Sequence, residues 1–442
     1  MNKKAHYVVL IVLCTIIAKP LRAQLNQQPP PDTVVAVPVM NYKDTVYQNM
    51  AAGELTPGKG FLLVKNEFAS LNFSMYAMAR YLNQGPGDQT WYDHLGRARS
   101  LTGRNDFNWH RTMLWFTGFV GTPKFTYMAT VWTVMTTQQT LVYGNLKYSF
   151  CKGFSLGMGI SPNMGLRSLQ GPFPFFTATD RTMAEDAIRP GFTNGLFANG
   201  FITSKLGYNL MLGNNLSALG VQASKLTRDL SKSASVFWMP TTGEFGPRGG
   251  LGDLEHHNKL ATRFGASFTH ARDDRFNGSE QPSPDNTQVR LSDGVLLYET
   301  GALADNVTVD KATYQLASAD IGFKYKGFCL FSEGYYRVLD DFVADGPLPV
   351  TSITDMGYTL QVSYMVMPKV CLYGVNSMIM DDFKRNPWEA GGGINFYPKQ
   401  NRNWRINTQL MHIEKSAAGG TFGLYNAGQT GTTFTFGVDI LI

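Results

Sequence analysis

Beyond its first two dozen residues the chain has no run of 18 or more apolar residues. A helix needs about that length to cross a bilayer, so helical spans are excluded for the rest of the sequence. Cysteine is scarce: of four in 442 residues, Cys14 lies in the N-terminal apolar stretch, and Cys151, Cys329 and Cys371 follow it. An odd number without paired spacing supplies neither a disulfide framework nor a zinc motif. Net charge is small as well. The formal +6 includes Lys3, Lys4, Lys19 and Arg22, which precede residue 24 with no acid among them, so the remainder carries about +2. That leaves no electrostatic footprint for nucleic acid as a partner. No Gly-rich phosphate loop stands between a strand and a helix, and Gly159-Ile160-Ser161-Pro162 fails as a nucleophile elbow because Asn163 takes the place of the second Gly.

What is abundant points to strands. Aromatics make up 13% of the chain and there are 45 glycines, a composition that suits closely paired, aromatic-girdled strands. The last eleven residues alternate without a break: Phe434, Phe436, Val438, Ile440 and Ile442 on one side, and Thr433, Thr435, Gly437, Asp439 and Leu441 on the other. Successive strand side chains point to opposite faces, and about 9–11 residues suffice for a tilted strand to span a bilayer. Leu71 to Tyr81 repeats the pattern, with Ser70, Asn72, Ser74, Tyr76, Met78 and Arg80 on the face expected to line a lumen. At the N-terminus, Lys3 and Lys4 precede an apolar run from Tyr7 to Ala18, and Leu21-Arg22-Ala23 offers a cleavage site. Residues 1–23 read as a secretory signal peptide and 24–59 as a Gln- and Pro-rich periplasmic leader running into the barrel.

Hairpins punctuate the remainder. Gly121-Thr122-Pro123, Cys151-Lys152-Gly153, Gly213-Asn214-Asn215, Lys326-Gly327, Pro368-Lys369 and Pro398 to Asn403 are predicted turns between alternating segments. Between the hairpins lie long polar stretches: 83–105, 161–200, 227–257, 272–312, 339–354, 378–388 and 414–430. Short turns at one rim and long loops at the other are the asymmetry of outer-membrane barrels, with short turns in the periplasm and long loops outside the cell.

The run from Gly322 through Lys324, Phe328, Cys329, Glu333 and Tyr335 to Arg337 resembles the C-terminal half of the phosphate-selective porin O and P family. Gly357 to Lys369 and Gly391-Gly392-Gly393-Ile394-Asn395-Phe396-Tyr397 continue the resemblance in order and spacing, and Gly60 to Val64 and Arg181 to Glu185 carry it more loosely into the N-terminal half. The resemblance covers most of 60–442 and departs from the family at Ile442, where these barrels often end in Phe. It implies a sixteen-stranded barrel, usually a homotrimer, that passes small anions or other small solutes. Pattern and resemblance together give an all-β, transmembrane antiparallel β-barrel of about 16 strands (range 14–18) over 60–442. Its expected place is the outer membrane of a Gram-negative bacterium, among lipid and lipopolysaccharide.

Selectivity in such a pore requires aligned lumen charge. The strand-borne bases are Arg80, Arg111, Lys147, Lys205, Arg263, Lys324 and Arg337, with Asp320 and Glu333 on neighbouring strands to oppose them. The expectation is passive diffusion of small hydrophilic solutes or anions through a hydrated lumen, with weak ion preference and without enzymatic activity, cofactor or metal. Segment 161–200 is too long for a bare connection, and Thr182-Met183-Ala184-Glu185 is a capping box for a short helix. It is expected to fold inward as a constriction, with Arg167, Arg181, Glu185, Asp186 and Arg189 facing the pore. The other reading of it is an extracellular cap.

Two other classes stay open. A barrel hydrolase acting on lipid or peptide would draw on His110, His270 and His412, which no sequence feature pairs with a nucleophile. A non-conducting barrel acting as adhesin or secretion partner would use the long loops. His256-His257 beside Glu255 lacks a spaced third ligand, and the acid pairs Asp273-Asp274, Asp340-Asp341 and Asp381-Asp382 read as solvated loop charge.

Overall fold

The computed structural model describes residues 60–135, 139–170, 176–217, 229–241, 251–274, 289–419 and 423–442; the expected signal peptide over 1–23 and leader over 24–59 lie outside them. In chain order the first strands are β1 (Phe61–Lys65), β2 (Ser70–Gly85), β3 (Gln89–Tyr92), β4 (Ala98–Leu101), β5 (Asn105–Val120), β6 (Thr122–Val134), β7 (Gln139–Cys151) and β8 (Phe154–Pro162). A 3-10 turn at Arg167–Gln170 and helix α1 (Met183–Ile188) precede β9 (Phe192–Thr203), β10 (Leu206–Gly213), β11 (Ser231–Trp238) and β12 (Ala261–Asp274). The remainder are β13 (Val309–Tyr325), β14 (Phe328–Ala344), β15 (Ser352–Met367), β16 (Val370–Asp381), β17 (Trp388–Phe396), β18 (Trp404–Glu414) and β19 (Gly431–Leu441).

β2 and β5 to β19 form a closed antiparallel barrel of 16 strands, shut by pairing of β19 with β2. Closure leaves no open edge, so every strand finds partners on both sides. β1 lies against the first residues of β2, below the point where Ile442 N donates to Met75 O, and so prolongs the line of β19. β3 and β4 make a separate hairpin in the β2–β5 loop.

The pleat sorts side chains as the alternation predicts. On β19, Thr433, Thr435, Asp439 and Leu441 are buried while Phe436 is exposed; on β2, Ser74, Tyr76, Met78 and Arg80 are buried. Exposed aromatics gather at the rim of the short turns, among them Phe150, Phe154, Tyr325 and Phe328, with Trp238 and Phe264 at the same rim beside the longer connection from β11 to β12. The turns between β5 and β6, β7 and β8, β13 and β14, and β15 and β16 fall where expected. Lys326 and Gly327 both have positive φ, 49° and 84°, the backbone of a two-residue hairpin whose twist matches its strands.

Three expectations change. The hairpin after β9 turns at Ser204-Lys205, and Gly213-Asn214-Asn215 instead opens a long loop. β11 lies inside the stretch 227–257, and β9 begins at Phe192 inside 161–200. The turn rim has one long connection, 239–260 between β11 and β12, so the division into short turns and long loops has an exception.

Candidate functional site

The lumen is occupied by chain. Residues 163–170, which follow β8, and 176–191, which precede β9, lie inside the barrel and are almost all buried. Their backbone groups cannot reach bulk water there, so each seeks a partner on the wall. Arg167 N donates to Glu333 Oε1 at 2.9 Å, Gln170 Nε2 to Ser267 Oγ at 2.6 Å, and Thr179 N to Gln409 Oε1 at 2.9 Å. Arg405 Nη1 donates to the carbonyls of Phe176 (2.6 Å) and Ala178 (3.0 Å). Asp180 is held by Arg111 of β5. The described residues of this segment are thus bonded to the inner wall.

α1 sits at the centre of this segment. Thr182 is its N-cap and forms the predicted capping box: Thr182 Oγ1 accepts from Glu185 N, and Thr182 N donates to Glu185 Oε2 at 3.1 Å. The helix start docks on the wall through Met183 N, which donates to Glu389 Oε1 at 2.6 Å; Tyr425 OH donates to Oε2 of the same carboxylate. Its other end is fixed by Arg337 Nη1, which donates to Ala187 O at 3.2 Å, and by Tyr314 OH, which donates to Ile188 O.

Apolar packing completes the filling. Met183, Ala184, Ala187 and Ile188 of α1 pack with Leu291, Val295 and Leu297, with Ala417, Leu424 and Tyr425, and with Leu339, Ile353, Ile379 and Ile413 on the strands. A second cluster runs across the barrel, joining Trp115 and Trp132 on one wall to Phe331 on the other through Leu169, Phe176 and Leu251.

Of the predicted pore-lining bases, Arg80, Arg111, Lys147, Arg263, Lys324 and Arg337 point inward and are buried. Lys205 does not: it is exposed in the β9–β10 turn, and its ammonium donates to Pro240 O at 2.6 Å. Most of the inward arginines face a carboxylate. Arg263 Nε donates to Asp320 Oδ1 at 2.8 Å, and Arg337 Nε to Asp355 Oδ2 at 2.9 Å. Arg405 and Asp439, neither of them predicted, pair through Nε at 2.8 Å and Nη2 at 2.6 Å. The last two pairs are direct cross-strand neighbours, Arg337 opposite Asp355 and Arg405 opposite Asp439. Lys147, 3% exposed, makes no ion pair with a described residue. Arg80 reaches Gly423 O at 3.3 Å.

The predicted constriction residues all lie in the inward segment. Arg167, Arg181, Glu185 and Arg189 are buried; Asp186 is partly exposed and accepts from Arg189 Nε at 3.4 Å. The Arg181 guanidinium lies 5.6 Å from the Phe176 ring centroid. Burial pushes the Asp180 carboxyl up, but Arg111 and His110 outweigh it and hold it well below the usual carboxylate range. Burial raises the Glu185 carboxyl above its ordinary value despite the Thr182 hydrogen bonds.

A bulge in β5 turns both His110 and Arg111 inward, and His110 Nε2 lies 3.7 Å from Asp180. His412 faces outward beside Trp388, and His270 lies on the outward parity of β12, so the three strand histidines are not brought together. Asp273 and Asp274 are buried, against the expectation of solvated charge.

No protein-family model matches the sequence, and no curated protein sequence matches it either. Among solved structures, outer-membrane expressed OmpT of Vibrio cholerae is similar over 86% of this chain and 99% of its own, with a TM-score of 0.50 at 10% identity. The anion-selective porin from Comamonas acidovorans is similar over 85% of this chain and 100% of its own, with a TM-score of 0.50 at 9% identity. At these identities the likeness is one of architecture, the closed barrel of outer-membrane proteins, and it does not reach the narrower resemblance to phosphate-selective porins.

Proposed function

We propose that the protein is an outer-membrane channel for passive diffusion of small hydrophilic solutes, narrowed by segment 163–191 and weak in charge preference. The observation that carries this reading is the pairing of lumen charge: Arg111, Arg263, Arg337 and Arg405 each face an aspartate. Paired charges give little field along a pore, whereas anion selection requires rings of unopposed cations. The inner faces of β8 to β11 carry no charged residue at all, only Ser, Asn, Thr, Gly, Phe and Met along most of their length. A phosphate-selective role would rest on few cations, Lys147 foremost.

The apolar clusters favour a second reading, a barrel that stays shut until a partner displaces its inner segments. Export through cleavage after residue 23, lipopolysaccharide contact and a homotrimer complete the proposal, which assigns the chain no catalytic step. Hydrolysis assays on lipid and peptide substrates test that last point.

The deciding experiment is single-channel recording of refolded 24–442 in planar bilayers under a salt gradient. Stepwise conductance with a reversal potential near zero is the expected result. Strong anion preference with block by phosphate would restore the phosphate-selective role, and silence would favour the partner-opened barrel.

A further inference from the structure

The one long connection on the turn rim, 239–260, returns into the barrel mouth at 251–257. Leu251 packs in the cluster that crosses the lumen. Gly252 N donates to Cys329 Sγ at 3.2 Å, and Arg402 Nη2 donates to Gly252 O at 3.2 Å. Asp253, fully buried, accepts from Gly327 N at 2.7 Å and from His257 N at 3.0 Å, and its other oxygen meets His257 Nδ1. Lys326 N donates to His257 O at 2.8 Å. The segment is thus fixed at both ends against the β13–β14 turn before any ligand arrives.

This bracing brings together one donor atom each from Asp253, Glu255 and His257, all within 4.8 Å of one another. Glu255 is solvent-exposed, with no hydrogen bond or ion pair to a described residue, yet its carboxylate stands beside that of Asp253. Two carboxylates this close repel, and a bound cation relieves the repulsion. Glu255-His256-His257 alone has too few spaced ligands; Asp253, four residues before His257, is the third.

We propose that Asp253, Glu255 and His257 form a binding site for one divalent transition-metal ion at the turn rim. Two carboxylate oxygens and one imidazole nitrogen suit zinc and its neighbours, which bind such donors at about 2.0–2.2 Å and fill the fourth position with water. Calcium is disfavoured, since it takes 6–8 oxygen ligands. Rotation of the exposed Glu255 side chain closes the set, because donors on a common tetrahedral ion lie nearer to each other than 4.8 Å. The ion bridges the three side chains and so clamps the segment whose Leu251 reaches the lumen cluster.

The test is calorimetric titration of tag-free, refolded 24–442 with zinc chloride, repeated with calcium chloride. The expected result is one zinc ion per chain, more than about tenfold weaker in Glu255→Gln and in His257→Ala and unchanged in His256→Ala. Neither altered ligand is a core residue, and heat-modifiable migration on gels confirms that each variant folds. Absence of saturable zinc binding, native affinity retained in both ligand variants, or loss in His256→Ala would overturn the site. Binding is read without conductance, so its outcome is independent of the channel proposal.

Discussion

Arg405 shows what a single residue does in this lumen. Its guanidinium holds Asp439 through two nitrogens and at the same time donates to the carbonyls of Phe176, Thr177 and Ala178. One side chain therefore neutralises a buried carboxylate and ties the inner segment to the wall. Removing one member of a buried pair leaves the other uncompensated, so Arg405→Ala should cost about 3–5 kcal/mol, read as a lower urea midpoint for the folded, heat-modifiable form. Arg111 and Asp180 make a second tie three strands along the same wall. Because the Asp180 value is depressed, its contribution is complete above the ordinary carboxylate range and is lost only as pH falls through the depressed value. Asp180→Asn should therefore loosen the segment equally at pH 8 and pH 5, measured as protease accessibility of the inner segment. The sequence exposed the inward parity of Arg80, Arg111 and Arg337, since parity is local. It hid Arg405 with Asp439, and Asp355 opposite Arg337, because partnership depends on register across strands. Lys205 was misread because Gly213-Asn214-Asn215 has stronger turn chemistry than Ser204-Lys205, where the chain in fact reverses.

At the scale of elements, α1 is a helix of six residues that water alone would not sustain. Its capping box and its docking on Glu389 and Arg337 replace what length does not supply. The capping box that opens α1 was legible in the sequence, and β11 was not, because Ser231 to Ser235 reads as polar loop when its partners are unknown. Burial raises the Glu185 carboxyl above its unfolded value, so the ionised form penalises the seated helix near neutrality. That penalty disappears as pH falls through the raised value toward the ordinary one. Glu185→Gln keeps an amide able to complete the box. The variant should match or exceed the native chain in thermal midpoint at pH 8, and the gap between them should shrink at pH 5. If the segment narrows the channel, deletion of 172–188 should raise single-channel conductance, and unchanged conductance would remove the constriction from the proposal.

At the scale of the whole molecule, strand period and turn spacing were enough to predict a barrel, because closure demands the same in–out alternation from every strand; the number sixteen came from the family resemblance, the pattern alone leaving a range of 14–18. They were not enough to predict a filled interior, since loop packing leaves no period in sequence. The filled interior concentrates opposite charges at short range, and that arrangement makes ion preference a property of pairs. Asp355 sits opposite Arg337 in register and takes its guanidinium at 2.5 Å through Nη2. Asp355→Asn keeps the shape and a hydrogen-bond acceptor while freeing one positive charge on the inner wall. In a salt gradient the native channel should reverse near zero, and the variant should shift toward anion preference, more at low ionic strength, where screening is weak. A native channel already strongly anion-selective, together with a variant no different from it, would show that the paired charges lie off the conducting path and that unpaired bases such as Lys147 set the selectivity.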